Sequence, residues 1–194
     1  MLSSDVIRQL ESAGLAVTRP EGRRLMCRLT NPQGLLDAWT TRYRWDRNAA
    51  ITVSPPMANE DRFLRRLAKT LAPRRWALTL LAGAWRRIQY TPTDTLHLYI
   101  ECENIAELRS IANEAGWPAD PAGRVVLMKP AYRTAVWFEG SPASDDTPPI
   151  VSDLQLILDL WHYPERGRET ATQLWRPMLR RFEDATAPVQ KLDR

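Results

Sequence analysis

The sequence predicts an α/β protein of the α+β class, in which helices pack around a short hairpin and a small mixed sheet. Two features predict this class. Segments with apolar residues at helical spacing alternate with short segments in which every second residue is apolar. Asn, Ser and Gly stand where the helical segments begin and end. We expect two parts, residues 1–56 and residues 57–194, divided near the Pro-Pro break of the segment AAITVSPPMANE.

The first part is predicted to hold a helix, a hairpin and a second helix. Ser3 or Ser4 caps the first helix, which ends at Gly14. Residues 15–30 form two strands around the turn RPEG, because apolar and arginine side chains alternate along the second strand. Asn31 caps the second helix, with a proline at the first helical position. A brief strand then precedes the Pro-Pro break.

The second part is predicted to place helices around a mixed sheet. It begins with an amphipathic helix capped by Asn59. An apolar helix through Gly83 leads to a strand over residues 95–100 and a helix over residues 105–115, which Asn104 caps. The remaining elements are the strand RVVLMKP, a short strand near AVWFEG, a helix that Ser152 caps and a last helix over about residues 168–183.

Charge is distributed unevenly along the chain. Residues 1–90 hold 16 cationic and 7 acidic side chains, a net charge of +9, whereas residues 91–194 hold 11 and 16, a net charge of −5. Of the 16 cations, 15 are arginines, whose planar guanidinium group matches phosphate oxygens. This asymmetry favours an anionic partner for the first half, with a solvated basic surface as the alternative.

The composition argues against several classes of protein. No apolar run approaches the length of a membrane span, and the N-terminus lacks the pattern of a signal peptide. We therefore expect a cytoplasmic protein without membrane contact. Cys27 and Cys102 lack metal-ligand spacing, and His97 and His162 are the only histidines. Neither a metal site nor a cofactor is predicted.

The first helix and the arginine-rich hairpin resemble the last helix and the wing of winged helix-turn-helix DNA-binding domains. In those domains the helix lies in the major groove and the wing contacts the flanking backbone. The resemblance implies that Arg8 lies near base edges and that the hairpin arginines contact phosphates. The hairpin arginines are Arg19, Arg23, Arg24 and Arg28.

A winged helix has two helices before this one, whereas two or three residues precede it here. The sequence thus predicts a winged-helix remnant. The domain is a shortened version, or a partner supplies the other two helices, or they are simply absent. In the alternative interpretation, the helix and hairpin pack on the second part and their arginines are solvated.

A second basic surface is predicted on the helix that follows Asn59. Its apolar stripe leaves cations on the rest of its circumference, and two further arginines follow its end. A solvated helix face is the alternative. The cations are Arg62, Arg65, Arg66, Lys69, Arg74 and Arg75.

The strand TLHLYI lies where nucleotidyltransferase-like domains carry two carboxylates, two residues apart, that hold magnesium. Residues 97 and 99 do point to the same side of a strand, but here they are His97 and Tyr99, which are poor magnesium ligands. Glu101 and Glu103 follow the strand and are the basis of a third interpretation, an enzyme. No catalytic residue is predicted, and the strand is interpreted as a scaffold without its active site.

The tryptophans divide by their neighbours. Trp39, Trp76 and Trp161 fall among apolar residues and are predicted to lie in the core. Trp45 and Trp137 have polar surroundings, so that stacking on bases or contact with a partner is an alternative to core packing.

Most of the chain resembles the AbiEi-type antitoxins of bacterial type IV toxin–antitoxin (abortive infection) systems. The resemblance rests on the segments LTNPQGLLDAWTTRYRW, ALTLLAGAW, TLHLYIE, RVVLMKP and PPIVSDLQLILDLWHYPERGRETATQLW. It implies a winged-helix N-terminal domain, followed by an antitoxin domain that we expect to contain a nucleotidyltransferase-like mixed sheet.

The resemblance further implies a non-enzymatic transcriptional regulator that binds the DNA of its own promoter region. It also implies that the protein counters a nucleotidyltransferase-like toxin, with direct contact to the toxin and a homodimer left open. The alternative function is a protein- or RNA-interaction module that has lost DNA binding.

Overall fold

The computed structural model describes residues 4–22, 24–132, 134–140 and 147–186. Helices and strands alternate along these residues, which confirms the predicted α+β class. The helices are α1 (Ser4–Ser12), α2 (Pro32–Arg42), α3 (Glu60–Leu71), α4 (Leu80–Ile88), α5 (Ile105–Glu114), α6 (Asp153–Trp161) and α7 (Gly167–Thr186). The strands are β1 (Ala16–Glu21), β2 (Arg24–Leu29), β3 (Ala49–Val53), β4 (Trp76–Thr79), β5 (Leu96–Ile100) and β6 (Val125–Lys129). None of the helices in these ranges is long and apolar enough to cross a membrane.

The chain divides into two compact units. Unit 1 comprises Met1–Tyr43 and Arg176–Arg194, and unit 2 comprises Arg44–Trp175. The sequence predicts the division after residue 56, at the Pro-Pro break. The structure places β3 in unit 2, since this strand forms ladder hydrogen bonds with β6. Helix α7 extends across the division.

Unit 1 contains α1, the hairpin β1–β2 and α2. Gly14 adopts φ +68° after α1, and the backbone N–H of Leu15 donates to the carbonyl of Leu10 at 2.9 Å. This is the left-handed helix end that glycine favours. Strand β1 runs on through Pro20 to Glu21, so the turn lies later than the predicted RPEG. The side chain of Asn31 caps α2, accepting from the N–H of Gly34 at 2.8 Å.

Unit 2 is built on a four-stranded sheet in the order β3-β6-β5-β4. Strands β5 and β6 are parallel, and the two outer pairs are antiparallel, so the sheet is mixed as predicted. Every residue of β5 is buried, in keeping with the mostly apolar sequence LHLYI of this inner strand. The segment Pro149–Val151 adds to the edge of β4, where the N–H of Leu78 donates to the carbonyl of Pro149 at 2.8 Å.

Two predicted elements of unit 2 were wrong. The sequence assigned the apolar run before Gly83 to one helix, but Trp76–Thr79 form strand β4. Leu80 switches the chain from strand to helix with a φ of +52°, a conformation that apolar periodicity does not reveal. The short strand predicted near AVWFEG is instead a 3-10 turn over Ala135–Trp137.

Candidate nucleic-acid interface

One face of the hairpin in unit 1 carries exposed arginines. Arg19 of β1 lies opposite Met26, and Arg28 of β2 lies opposite Val17. Because side chains on a strand alternate, this register places Arg19 and Arg28 on the same face. Both are exposed, as are Met26 and Val17 beside them. The hairpin face of Val17, Arg19, Met26 and Arg28 is named the arginine face below.

The arginines of the arginine face have no bonded partner in the described part of the protein. Neither Arg19 nor Arg28 forms a hydrogen bond or an ion pair among the described residues. Of the other two hairpin arginines, Arg23 lies outside the described residues, and Arg24 is described by its backbone position opposite Glu21. An exposed guanidinium without a carboxylate partner keeps its donors available for an anion.

Arg8 differs from the hairpin arginines. Its Nη2 donates to Asp5 Oδ1 at 2.7 Å, one turn away on α1, and both side chains are exposed. An exposed pair of this kind contributes at most about 1 kcal/mol, so a phosphate could displace Asp5. Helix α1 is fixed to the hairpin because the N–H of Thr18 donates to Glu11 Oε1 at 2.8 Å.

The basic surface predicted on α3 separates into two groups. Four of its cations are exposed on the side opposite the buried apolar stripe, and they form no ion pair within 4.0 Å among the described residues. These four, the α3 cations, are Arg62, Arg65, Arg66 and Lys69. Arg74 and Arg75 instead bind Glu107 at 2.6 Å and Glu101 at 2.5 Å.

Two carboxylates after β5, those of Glu101 and Glu107, are bound by those arginines. Arg75 donates through two nitrogens to Glu101 and holds the pKa of that carboxyl below its usual value. Glu107 accepts from the backbone N–H of Glu103 at 2.7 Å. No group of three potential metal ligands occurs within the described ranges. The arrangement therefore resembles a helix N-terminus stabilised by ion pairs, which is the common role of acidic residues there.

His97 and Tyr99 are core residues of the sheet. The hydroxyl of Tyr99 donates to Asp159 of α6, at 3.1 Å from Oδ1 and 3.2 Å from Oδ2. His97 is 7% exposed and meets the ring of Tyr163 edge-on, with the ring centroids 5.3 Å apart. Burial lowers the pKa of His97 to about 4. Both side chains are thus packed within the core of unit 2.

Asp159 is the centre of a buried polar cluster that sequence reasoning missed. Besides Tyr99, its carboxylate accepts from Thr79 Oγ1 at 2.5 Å and from Gln155 Nε2 at 2.8 Å. Asn48 extends the cluster by donating to the Tyr99 hydroxyl at 3.1 Å. The signal in the sequence was Asp159, an aspartate within the apolar run LILDLW of α6. A buried carboxylate must find hydrogen-bond partners.

The tryptophans follow the predictions in part. Trp76 is buried, whereas Trp39 is 41% exposed on α2 and was wrongly assigned to the core. Trp161 is half-buried, with the guanidinium of Arg168 5.2 Å from its ring centroid. Trp137, predicted to have polar surroundings, lies 5.3 Å beneath the guanidinium of Arg75.

No curated protein and no solved structure matches the chain. A family model described as "Transcriptional regulator, AbiEi antitoxin, Type IV TA system" matches residues 28–179. The match includes Arg28 and all of unit 2, and begins after Arg8 and Arg19. Because it covers well over half of the sequence, the chain belongs to the AbiEi antitoxin family, the transcriptional regulators of type IV toxin–antitoxin systems.

Proposed function

We propose that this antitoxin-family regulator binds the DNA of its own promoter region through the arginine face of unit 1. The observation that carries the proposal is the pair Arg19 and Arg28, exposed on one face of the hairpin without an ion-pair partner among the described residues. A transcriptional regulator needs a surface that neutralises phosphates, and arginines supply it. Membership in the family supports the proposal.

The remaining hairpin arginines and Arg8 complete the proposed interface. Arg23 and Arg24 lie between Arg19 and Arg28 in the sequence, and Arg24 is the first residue of β2. The hairpin would act as the wing of a winged-helix-like domain, with α1 nearest the base edges through Arg8. Phosphate contacts from these arginines would position the protein, and any discrimination between sequences would require contacts to bases.

Unit 2 carries the second half of the proposal. Its sheet and helices would form the antitoxin part, which counters a nucleotidyltransferase-like toxin without performing catalysis itself. The α3 cations give unit 2 a further surface for phosphates, since they too are exposed. We expect this surface to add non-specific affinity, because helix-face cations contact phosphates without reading bases.

The double substitution Arg19→Ala/Arg28→Ala is expected to weaken binding to the promoter duplex by about tenfold or more, which is ~1.4 kcal/mol. The slope of the logarithm of affinity against the logarithm of salt should become shallower by roughly 2, because each lost phosphate contact removes about 0.9. Fluorescence anisotropy with a labelled upstream duplex and an unrelated duplex, at low and near-physiological salt, measures both quantities.

The matched control is Arg47→Ala/Arg109→Ala, which removes the same charge from two exposed arginines of unit 2. It should change the affinity for DNA by less than about twofold, because only the net charge of the protein changes. Equal losses in both variants would refute a role for the arginine face. A wild-type protein that binds neither duplex would favour the alternative, an interaction module without DNA binding.

A further variant separates the two basic surfaces. Replacing all four α3 cations with alanine is expected to weaken binding to both duplexes equally and to leave their affinity ratio unchanged. The same anisotropy titration provides the ratio. A selective loss for the promoter duplex would instead make α3 part of the specific interface.

A further inference from the structure

The arginine face carries two apolar side chains among its cations. Val17 and Met26 are 37% and 50% exposed. Val17 lies opposite Arg28 and Met26 lies opposite Arg19, so apolar and cationic side chains alternate over the four positions. Single exposed apolar residues are common, but these two are diagonal neighbours on one face. Contacts to phosphates explain the arginines and leave the two apolar side chains without a role.

The fold covers one face of the hairpin and leaves the arginine face open. Strands β1 and β2 form a two-stranded sheet that no third strand of the described residues joins. On the opposite face Ala16 is buried, Cys27 is half-buried and the hydroxyl of Thr18 is shielded from solvent. The arginine face is therefore the outer face of a two-stranded ribbon.

The dimensions of such a ribbon match those of the major groove of DNA. The groove is about 12 Å wide and admits two antiparallel strands. Side chains two positions apart on a strand lie about 6.8 Å apart, and successive base pairs lie about 3.4 Å apart. Val17 and Arg19 on β1 are thus spaced by about two base-pair steps, as are Met26 and Arg28 on β2.

The side chains of the arginine face also match the chemistry of base edges. An arginine donates two hydrogen bonds to N7 and O6 of a guanine in the major groove. The apolar group that the major groove presents is the C5-methyl of thymine, which apolar side chains contact. Neither valine nor methionine forms a strong hydrogen bond, so a thymine methyl is the feature of a base edge that Val17 and Met26 can recognise.

We propose that Val17 and Met26 determine the sequence specificity of the hairpin by contacting thymine methyl groups in the major groove. The inference rests on the proposed DNA binding and extends it, because the hairpin then contacts bases as well as phosphates. Helix α1 presents one cation to base edges, Arg8, and that cation is paired with Asp5. The arginine face supplies the further base contacts that discrimination between sequences requires.

A protein partner fits this face less well. The buried centre of a protein interface is depleted of charged residues, whereas a cation lies directly opposite each apolar side chain here. A second copy packed face to face would bring its own Arg19 and Arg28 against these arginines, and like charges oppose association. A duplex instead offers phosphates and guanine acceptors to the arginines and thymine methyls to the apolar pair.

Replacing every thymine of the labelled upstream duplex with deoxyuridine tests the proposal, because it removes the methyl groups and keeps every hydrogen-bonding group and phosphate. In fluorescence anisotropy, the wild-type chain is expected to bind the deoxyuridine duplex about fivefold or more weakly than the thymine duplex. Val17→Ala/Met26→Ala should bind both duplexes within about twofold of each other. It should also match the wild-type affinity for the deoxyuridine duplex, which shows that the variant is folded.

Leu25→Ala is the matched control. Leu25 is 75% exposed and precedes Met26 in the chain, but it lies opposite Pro20 on the other face of the hairpin. This variant should keep the wild-type ratio between the two duplexes, because its side chain does not belong to the arginine face.

The outcomes separate this inference from the proposed function. If the wild-type chain binds both duplexes equally, while Arg19→Ala/Arg28→Ala still weakens binding, the hairpin contacts phosphates alone and the reading of thymines is wrong. A wild-type ratio in Val17→Ala/Met26→Ala would also overturn the inference, because the methyl groups would then be recognised elsewhere. A wild-type chain that binds neither duplex would overturn the inference and the proposed function together.

Discussion

Replacing Asp159 with alanine is expected to lower the free energy of unfolding by about 3 kcal/mol or more. Three side-chain donors meet at its carboxylate, from β4, β5 and α6 itself: Thr79 Oγ1, the Tyr99 hydroxyl and Gln155 Nε2. All four residues are buried. Removing the acceptor leaves these donors in an apolar interior, where each unpaired group costs about 1–3 kcal/mol.

The donors show why the loss should be large. Thr79 precedes the switch from β4 to α4, and Tyr99 lies on the central strand β5. The carboxylate thus joins two strands to the helix that packs on them, and water has no access to replace it. Asp159→Asn should lower the free energy of unfolding by less, because the amide keeps one oxygen acceptor. It should still be destabilising, because the NH₂ group of asparagine would face other donors. Tyr99→Phe should cost least, since Thr79 and Gln155 would still satisfy Asp159.

Urea unfolding followed by tryptophan fluorescence and by circular dichroism measures this order. Asp94→Ala is the matched control, because Asp94 is exposed and lies 3.8 Å from Arg124. It should change the free energy of unfolding by less than about 0.5 kcal/mol. A loss of under about 1 kcal/mol for Asp159→Ala would mean that the three donors find other partners, and that the cluster does not hold the helix to the sheet.

The parts of the fold that the sequence predicted are those with local physical signals. Asn31, Asn59, Asn104 and Ser152 cap the helices that they were predicted to cap, because a side-chain oxygen near the first turn acts locally. Strands β5 and β6 were found from their apolar runs. These signals need no knowledge of the rest of the protein.

The errors arose where long-range contacts decide the structure. Strand β4 was assigned to a helix, because the hydrogen bonds to β5 that make it a strand come from residues about twenty positions away. Strand β3 was predicted to belong to the first part, with the hairpin. Its neighbours in the sequence do not indicate that it pairs with β6. The Asp159 cluster was missed for the same reason: its members are spread from Asn48 to Asp159.

The candidate interface could be predicted in composition but not in geometry. The sequence shows which residues are arginines, whereas the register of the hairpin places Arg19 and Arg28 on one face. Nor does the sequence separate the α3 cations from Arg74 and Arg75, because the glutamates that bind these two lie 26 to 33 residues away. Which basic residues keep their charge available is therefore a property of the tertiary structure.

His97 is expected to make the protein less stable as the pH falls from about 6.5 to about 4. Its imidazole is 7% exposed, its Nδ1 has no hydrogen-bond partner among the residues that the structure describes, and burial lowers its pKa from 6.5 to about 4. Between these two values the unfolded chain binds a proton at this residue and the folded chain does not. Stability is thus fully present above about pH 6.5 and is lost as the pH falls through this window.

The size of this effect follows from the difference between the two pKa values. A pKa of about 4 in the folded chain, against 6.5 in the unfolded chain, corresponds to roughly 3 kcal/mol of stability, which is lost between pH 6.5 and pH 4 and not below pH 4. Urea unfolding at several pH values, for the wild-type protein and for His97→Gln, isolates the contribution, since other groups titrate equally in both. The free energy of unfolding of His97→Gln should fall by roughly 3 kcal/mol less than that of the wild-type protein between pH 6.5 and pH 4. If His97→Gln keeps the wild-type slope, His97 is protonated in the folded protein at pH values well above 4, and the prediction is wrong.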